Sequence, residues 1–255
     1  MKLLQHCPIC NAPATALDVV DFNKACIESE GKYLPLAGIP IYYFMCDMCS
    51  FTFSPYFWNW TENDFLEKIY NEDYITVDPE YLEIRPKNNA DVLLNLLHQH
   101  KSEIKHLDYG GGNGRLSREL IANGWNSQSF DPFVEANVEL GSLGQFNLIS
   151  AFEVFEHVPH PDELMKNITA LMGESCLVLF STLLSDNQLE KNSRINWWYC
   201  SPRNGHISLF SKKSLAILGA KYQLKSASFS DNFHCFVNNI PLWARHFIHS
   251  PDDSD

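Results

Sequence analysis

The distribution of apolar positions changes character at Ile104. Beyond it, short apolar runs alternate with stretches whose apolar residues recur every three or four positions, the pattern of strands and helices alternating in an α/β fold. Ile104 to Tyr109 reads as a strand that stops at Gly110-Gly-Gly-Asn-Gly114 and restarts as a helix carrying Leu116, Leu120 and Ile121 on one face. Asn123-Gly124 ends that helix, glycine being the usual residue just past a helix C-terminus, and Trp125 to Phe130 is the next strand, closing on Asp131-Pro132. Phe146 to Ala151 is a buried strand, after which Pro161-Asp-Glu163 opens a helix with Leu164, Ile168 and Leu171 inward and Gly173 at its end. Cys176 to Phe180 is a further strand, Ser211-Lys-Lys-Ser-Leu215 starts another helix, and Tyr222 to Ser228 and His234 to Val237 are the last two strands.

Upstream of Ile104 the pattern is different. Ile41 to Met45 and Ser50 to Phe53 are two short aromatic strands, and Thr61-Glu-Asn-Asp64 opens a helical run with Phe65, Leu66 and Ile69. Tyr70 to Pro86 reads as a polar, partly ordered connector, and Asn88 to His100 as a helix with Leu93, Leu96, Leu97 and His100 on one face, covering the sheet just before its first strand. These breaks predict a small β domain over 1–60, a helical connector or cover over 61–103 and an α/β domain over 104–255, within which 185–208 is a polar and aromatic insertion expected to cover the substrate. Ser250 to Asp255 reads as a frayed acidic tail.

Consecutive glycines let a backbone pass close beneath a ligand, and the helix that follows points N–H groups at it. A dinucleotide fingerprint would need glycine where Arg115 stands, and a phosphate-binding P-loop would need Gly-Lys-Ser/Thr, which is absent. What remains is Asp108-x-Gly110-x-Gly112-x-Gly114, which resembles motif I of the class I S-adenosylmethionine (SAM)-dependent methyltransferases. That resemblance implies a Rossmann-like sheet with helices on both faces, ending in an antiparallel hairpin. It also implies Gly110, Gly111 and Gly112 against the methionine half of SAM, with Asp108 organising the loop or the cofactor's amino group. Asp131 lies about twenty residues past the loop, where a carboxylate at a second strand's end can accept from both ribose hydroxyls. Phe152-Glu153-Val-Phe-Glu156-His157-Val158 is similar to the E-V-x-E-H-V segment of many methyltransferases, including ubiquinone-pathway O-methyltransferases. By that likeness Ala151 and Glu153 line the cofactor beside the reacting methyl. Gly205 to Ser211 matches the Gly-His-x-x-x-Phe-Ser segment of small-molecule methyltransferases. One departure stands out: only Pro132 to Gln145 is available where the family places a helix and a third strand, so those elements must be shortened, and the adenine contact has no assigned residue.

The chain has 255 residues, 45% of them hydrophobic, enough for one full α/β domain and a small appendage. Its net charge of −12 and the lack of any lysine/arginine block argue against a nucleic-acid surface and for a small-molecule acceptor. No apolar run approaches the roughly 20 residues that span a bilayer, and Met1 to Cys10 has no signal-peptide pattern, so no membrane insertion and a cytoplasmic location are expected. In that setting the eight cysteines should be mostly reduced. Cys7-Pro-Ile-Cys10 and Cys46-Asp-Met-Cys49 are two C-x2-C knuckles that would supply a closed, structural Zn2+ site of four thiolates. The segment looks like a zinc ribbon, with Asn11 and Ser50 where many ribbons have glycine, and such a ribbon offers a surface for a protein partner. Cys26, Cys176, Cys200 and Cys235 are expected as core residues. Pro55 to Trp60 either packs ribbon against main domain or forms an aromatic wall over the substrate.

Methyl transfer from SAM is an in-line displacement at a sulfonium carbon, so positioning dominates and a base helps when the nucleophile is a hydroxyl. His157 and His206 are the candidate bases and Glu156 the carboxylate beside them. Were Glu153 to His157 helical, Glu153, Glu156 and His157 would share a face and, with His206, would suit a hard divalent ion such as Mg2+. The base is preferred, giving O-methylation of a sugar or other biosynthetic intermediate. The alternatives are a zinc-ribbon interaction protein that binds SAM without catalysis and a metal-dependent 2′-O-methyltransferase of nucleic acid.

Overall fold

A computed structural model describes residues 4–135, 138–246 and 248. The N-terminal region contributes β1 (Leu4–His6), β2 (Pro13–Asp21), β3 (Pro40–Cys46) and β4 (Thr52–Phe53). Three helices follow: α1 (Glu62–Lys68), α2 (Tyr74–Val77) and α3 (Ile84–Leu97). The α/β part runs β5 (Lys105–Tyr109), α4 (Arg115–Ala122), β6 (Asn126–Phe130), β7 (Phe146–Phe152), α5 (Pro161–Leu171) and β8 (Met172–Ser181). It ends with β9 (Ser208–Leu209), α6 (Lys212–Lys221), β10 (Lys225–Ser228) and β11 (Phe233–Val237).

Six strands form the main sheet in the order β10-β11-β8-β7-β5-β6. β6, β5, β7 and β8 are mutually parallel, and β11 and β10 close the far edge as an antiparallel hairpin. Side chains alternate across the sheet, so each strand feeds two cores. Tyr109, Ile149, Val178, Phe180 and Phe236 pack with Leu164 and Ile168 of α5 and Leu215 and Leu218 of α6. Leu148, Leu177, Leu179 and Val237 pack on the opposite face with Leu93 and Leu97 of α3 and Leu116 and Leu120 of α4. The result is a helix–sheet–helix sandwich, as the Rossmann-like reading requires. The other sheet is antiparallel, in the order β1-β2-β3-β4-β9, and takes its fifth strand from the far side of the chain.

Several sequence expectations are corrected. The connector is more ordered than its polarity suggests: α2 lies within it, and α3 already begins at Ile84, with Pro86 in the first turn, where no N–H partner is lost. Ala90, Leu93 and Leu97 form the buried stripe of α3, whereas Leu96 is 46% exposed, and His100 sits in a following 3-10 turn. Ile121 is likewise outward, at 53%. α5 does not end on Gly173 but passes directly into β8, where a Cβ at Gly173 would lie 3.1 Å from the Phe146 carbonyl oxygen. Glu153 to His157 is not a helix: Glu153 adopts φ +57° and only Phe155–His157 makes a 3-10 turn. Among the described residues between Asp131 and Gln145 there is only a 3-10 turn at Leu140–Leu143, so the missing helix and strand are indeed reduced, and β6 is the sheet edge. The acidic tail Ser250 to Asp255 lies outside the described residues.

Candidate functional site

The two knuckles meet. Cys7 Sγ lies 3.6 Å from Cys49 Sγ, and Cys10 Sγ lies 3.4 Å from Cys46 Sγ and 3.6 Å from Cys49 Sγ. A tetrahedral site with Zn–S bonds of about 2.3 Å has sulfur edges of about 3.8 Å, so the four thiols fit zinc after a small expansion. Each knuckle turns through a left-handed residue, Asn11 at φ +58° and Ser50 at φ +59°, and the Met48 and Cys49 N–H groups donate to Cys46 Sγ, each at 3.4 Å. Asparagine takes this conformation readily; serine takes it here under the constraint of the knuckle.

At the carboxyl end of β5 the glycine loop takes φ +73° at Gly110, +53° at Gly112 and +74° at Gly114. Gly111 is required by space, since a Cβ there would sit 2.5 Å from Asp108 Oδ2 and overlap Ser129 Oγ. At Gly112 a Cβ would meet nothing within 4 Å, so this glycine faces open space. Asp131 binds the loop itself: its Oδ2 accepts from the Gly112 N–H at 2.8 Å, while Oδ1 accepts from Phe133 N–H at 2.9 Å. Asp108 is buried and accepts from Ser150 Oγ at 2.6 Å; burial lifts its carboxyl to about 7, with Ser150 opposing and Asp131 adding to the rise.

β7 ends beside this loop, with Val154 against Gly110. Ala151 is fully buried. Glu153, in its left-handed conformation, donates its N–H to Ser181 Oγ (2.9 Å) and accepts from the same hydroxyl through Oε1 (3.0 Å). Its Oε2 lies 3.6 Å from Arg85 of α3, which also forks onto Asp78 with two bonds of 2.8 Å. Glu153 is thereby turned away from the pair that follows it. Glu156 is completely buried; Oε1 accepts from Tyr199 OH at 2.7 Å and Oε2 has no hydrogen-bond partner. The buried Nδ1 of His157 makes no well-aligned hydrogen bond and lies against the Gly205 backbone, which acts to raise the imidazole's pKa. His206 donates from Nδ1 to the Tyr199 carbonyl at 2.8 Å, which leaves Nε2 with its lone pair. One ligand atom from each of Glu156, His157 and His206 lies within 4.8 Å of the others. Burial pushes Glu156 up to about 8 and His157 down to about 4, and it holds His206 well below its ordinary value. Both imidazoles are therefore neutral at pH 7, and Glu156 is largely a carboxylic acid.

The structure thus brings Glu156, His157 and His206 together, keeps Glu153 with Arg85, and sets the glycine loop beside them, with Asp108 at its β5 end and Asp131 bound to it from the turn after β6. The insertion carries His206 on Pro202-Arg-Asn-Gly-His206, which Arg203 anchors by donating to Ile69 O at 2.8 Å and Asn71 Oδ1 at 3.1 Å. Gly205, at φ +83°, brings the loop against His157: a Cβ there would lie 2.9 Å from His157 Nδ1. The ribbon supports the same loop, for Tyr43 OH donates to His206 O at 2.8 Å and Cys26 N–H to Asn204 Oδ1 at 2.8 Å. Sequence reasoning missed Arg85, Tyr199, Tyr70 and Phe133. Tyr70 packs edge-on to His157 with centroids 6.1 Å apart and meets Phe133 at 5.7 Å, so these two rings stand between the histidine and the Asp131 turn. Of the two readings of Pro55 to Trp60 the structure shows packing, with Phe57 fully buried among Phe22, Trp60 and Phe65. A surface groove of about 860 Å³ lined by Gln99, His100, Leu242 and Arg245 lies at the amino end of β5, away from this chemistry. Among the described residues no helix is long and apolar enough to cross a membrane.

A family model described as a methyltransferase domain matches residues 81–228, more than half of the chain. No curated protein matches the sequence. Among solved structures, the chain is similar to the 1,6-didemethyltoxoflavin-N1-methyltransferase of Burkholderia thailandensis with bound 1,6-didemethyltoxoflavin and S-adenosylhomocysteine, at 13% identity over 69% of this chain and 85% of that one, TM-score 0.46. It is also similar to the plantazolicin methyltransferase in complex with S-adenosylhomocysteine (11% identity, 67% and 91% covered, TM-score 0.46). A third is the magnesium protoporphyrin IX methyltransferase of Synechocystis, also with S-adenosylhomocysteine (12% identity, 71% and 95% covered, TM-score 0.42).

Proposed function

The chain belongs to the methyltransferase-domain family and is a SAM-dependent methyltransferase; from that premise we propose that it methylates an oxygen of a small-molecule acceptor, with His157 as general base. The observation that carries this reading is the convergence of His157, His206 and Glu156 next to the strand end that abuts the glycine loop. A neutral imidazole can take the hydroxyl proton as the oxygen attacks the methyl carbon. His206, held by the Tyr199 carbonyl, orients the acceptor through Nε2, and Glu156, largely protonated, adds a donor. In this reading Gly110, Gly111 and Gly112 lie against the methionine half with Ala151 and Glu153, Asp131 takes the ribose, and Tyr70 and Phe133 flank an acceptor with a flat or apolar face. Cys7, Cys10, Cys46 and Cys49 hold a structural zinc, which supports the ribbon residues beneath His206. The test is methyl transfer from labelled SAM to a panel of phenols, sugar nucleotides and amines, with the product's methyl position fixed by NMR. An O-methyl product, and turnover reduced about 10²–10⁴-fold in His157→Gln with SAM affinity kept, are expected. An N-methyl product, or undiminished turnover in His157→Gln, would overturn the base.

A second reading has its own observation: Glu156 Oε2 and His157 Nδ1 both lack a well-aligned hydrogen bond, and with His206 they converge to metal-ligand spacing. Two imidazoles and one carboxylate suit zinc, manganese or ferrous iron better than magnesium, and Glu153 is not in the set. An ion there would polarise an acceptor hydroxyl. Activity that survives exhaustive chelation, with the ribbon zinc verified intact, excludes this reading.

A further inference from the structure

Polar side chains line one face of the sheet beneath the glycine loop. His106 and Asp108 lie two apart on β5 and so share a face. His106 pairs across with Ser127, and Asp108 lies between Ser129 of β6 and Ser150 of β7. Ser117 reaches the same layer from α4. The contacts are continuous: Ser117 Oγ to Ser127 Oγ 2.7 Å, Ser127 Oγ to His106 Nδ1 2.8 Å, His106 Nε2 to Ser150 Oγ 2.9 Å, and Ser150 Oγ to Asp108 Oδ1 2.6 Å. His106 and Ser150 are fully buried and Asp108 is 3% exposed, in a layer otherwise filled by apolar side chains. Methyl transfer itself uses neither His106 nor these serines.

With Asp108 ionised the bonds run one way. Ser150 donates to the carboxylate and accepts from His106 Nε2–H; His106 Nδ1 accepts from Ser127, which accepts from Ser117. With Asp108 protonated the same contacts can run in reverse, the carboxyl donating to Ser150, Ser150 to His106 Nε2, and His106 Nδ1–H to Ser127. Burial pushes the imidazole down to about 3, so the two arrangements differ in its tautomer and not in its charge. His106, Ser127 and Ser150 keep both a donor and an acceptor contact in either arrangement, which an apolar layer or a lone carboxyl could not achieve.

We propose that this chain couples cofactor binding to release of one proton from Asp108: the loop carboxyl is protonated in the cofactor-free protein and ionises to the buffer when the positively charged cofactor arrives, while His106 changes tautomer. The inference rests on the glycine loop being the SAM site. The other charged groups around Asp108 are accounted for. Asp131, on the turn after β6, opposes its ionisation; Glu153, at the end of β7, is paired with Arg85 of α3; Arg115 of α4 is paired with Glu83 and Glu119, and Arg118 donates to the Asn113 carbonyl. Among the described residues no lysine or arginine acts on the Asp108 carboxyl, and that role falls to the ligand. Because the cofactor-free carboxyl sits at about 7 and the bound one lower, affinity is full above that value and falls about tenfold per pH unit below it.

The experiment is calorimetry of SAM binding to the full, zinc-loaded chain between pH 5.5 and 7, below the range in which the cofactor's own amino group titrates. Two buffers of different ionisation enthalpy count the protons released. About 0.9 proton per SAM at pH 6 is expected, with 15N NMR showing the His106 proton on Nδ1 without cofactor and on Nε2 with it. Asp108→Asn should bind more weakly at every pH and release no proton, and Ser150→Ala should move the inflection to higher pH. Affinity and tautomer that do not change with pH, in a protein that binds SAM, would overturn the coupling alone. Failure to bind SAM at any pH would overturn the cofactor reading of the loop, and this inference with it.

Discussion

Asp131→Ala separates the contributions of the cofactor loop. The Asp131 carboxylate accepts from two backbone N–H groups, of Gly112 at 2.8 Å and Phe133 at 2.9 Å, and still has lone pairs for ribose hydroxyls. Both backbone donors lie in exposed turns, so water replaces the carboxylate when it is removed, and the cost in stability should stay within about 1 kcal/mol. The cofactor loses more, because a hydrogen bond to a charged group is worth about 1.5–3 kcal/mol and the loop loses the tie that holds Gly112 in its left-handed conformation. At 1.4 kcal/mol per factor of ten, the dissociation constant for S-adenosylhomocysteine should rise about 10- to 150-fold. Calorimetric titration with this unreactive product, beside a urea melt of the same variant, measures both quantities. Asp131→Asn, which keeps one acceptor oxygen and loses the charge, should fall between wild type and alanine. Unchanged affinity in a folded Asp131→Ala protein would remove the residue from the ribose site and refute the reasoning.

Other outcomes follow from the same geometry. Metal analysis should find one zinc per chain, and Cys46→Ser should release it; retained stoichiometric zinc in a variant lacking all four knuckle thiols would contradict the ribbon site. Gly112→Val should abolish SAM binding by filling open space on the ligand side, at a backbone cost of about 1–2 kcal/mol from its φ of +53°, and calorimetry that still finds tight binding would be inconsistent with that orientation. Tyr199→Phe removes the 2.7 Å hydrogen bond to the buried Glu156, so urea denaturation should show a loss of about 1–3 kcal/mol.

Much of this arrangement was legible because its signals are local. The strand–glycine–helix unit declares itself by period and by residues that only a tight loop needs, and the knuckles by spacing; capping boxes at Thr61 and Ser211 mark the starts of α1 and α6 as the sequence reading placed them. What escaped is non-local. Leu96 and Ile121 fit their helical periods but point outward, since which side of a helix meets the sheet is set by packing and not by period alone. Glu153, Glu156 and His157 share a face only on a helix; the left-handed residue after β7 breaks it and sends Glu153 to Arg85 while its neighbours meet His206. No spacing rule joins Tyr199 or Tyr70 to this centre, since each arrives through the packing of another segment. Pairing of β9 with β4 across more than 150 residues is of the same kind, and it is what seats the ribbon against the histidine loop.

In the proposed reaction the SAM methyl is delivered toward His157 and His206. A crystal structure with S-adenosylhomocysteine bound tests it most directly. Expected are the ribose on Asp131, the methionine half along Gly110 to Gly112, and the sulfur's vacant methyl direction aimed at His157 and His206, with an acceptor oxygen able to reach about 3–3.5 Å from the methyl carbon. A sulfur whose methyl direction opens away from the two histidines, or cofactor bound elsewhere in the chain, would contradict it.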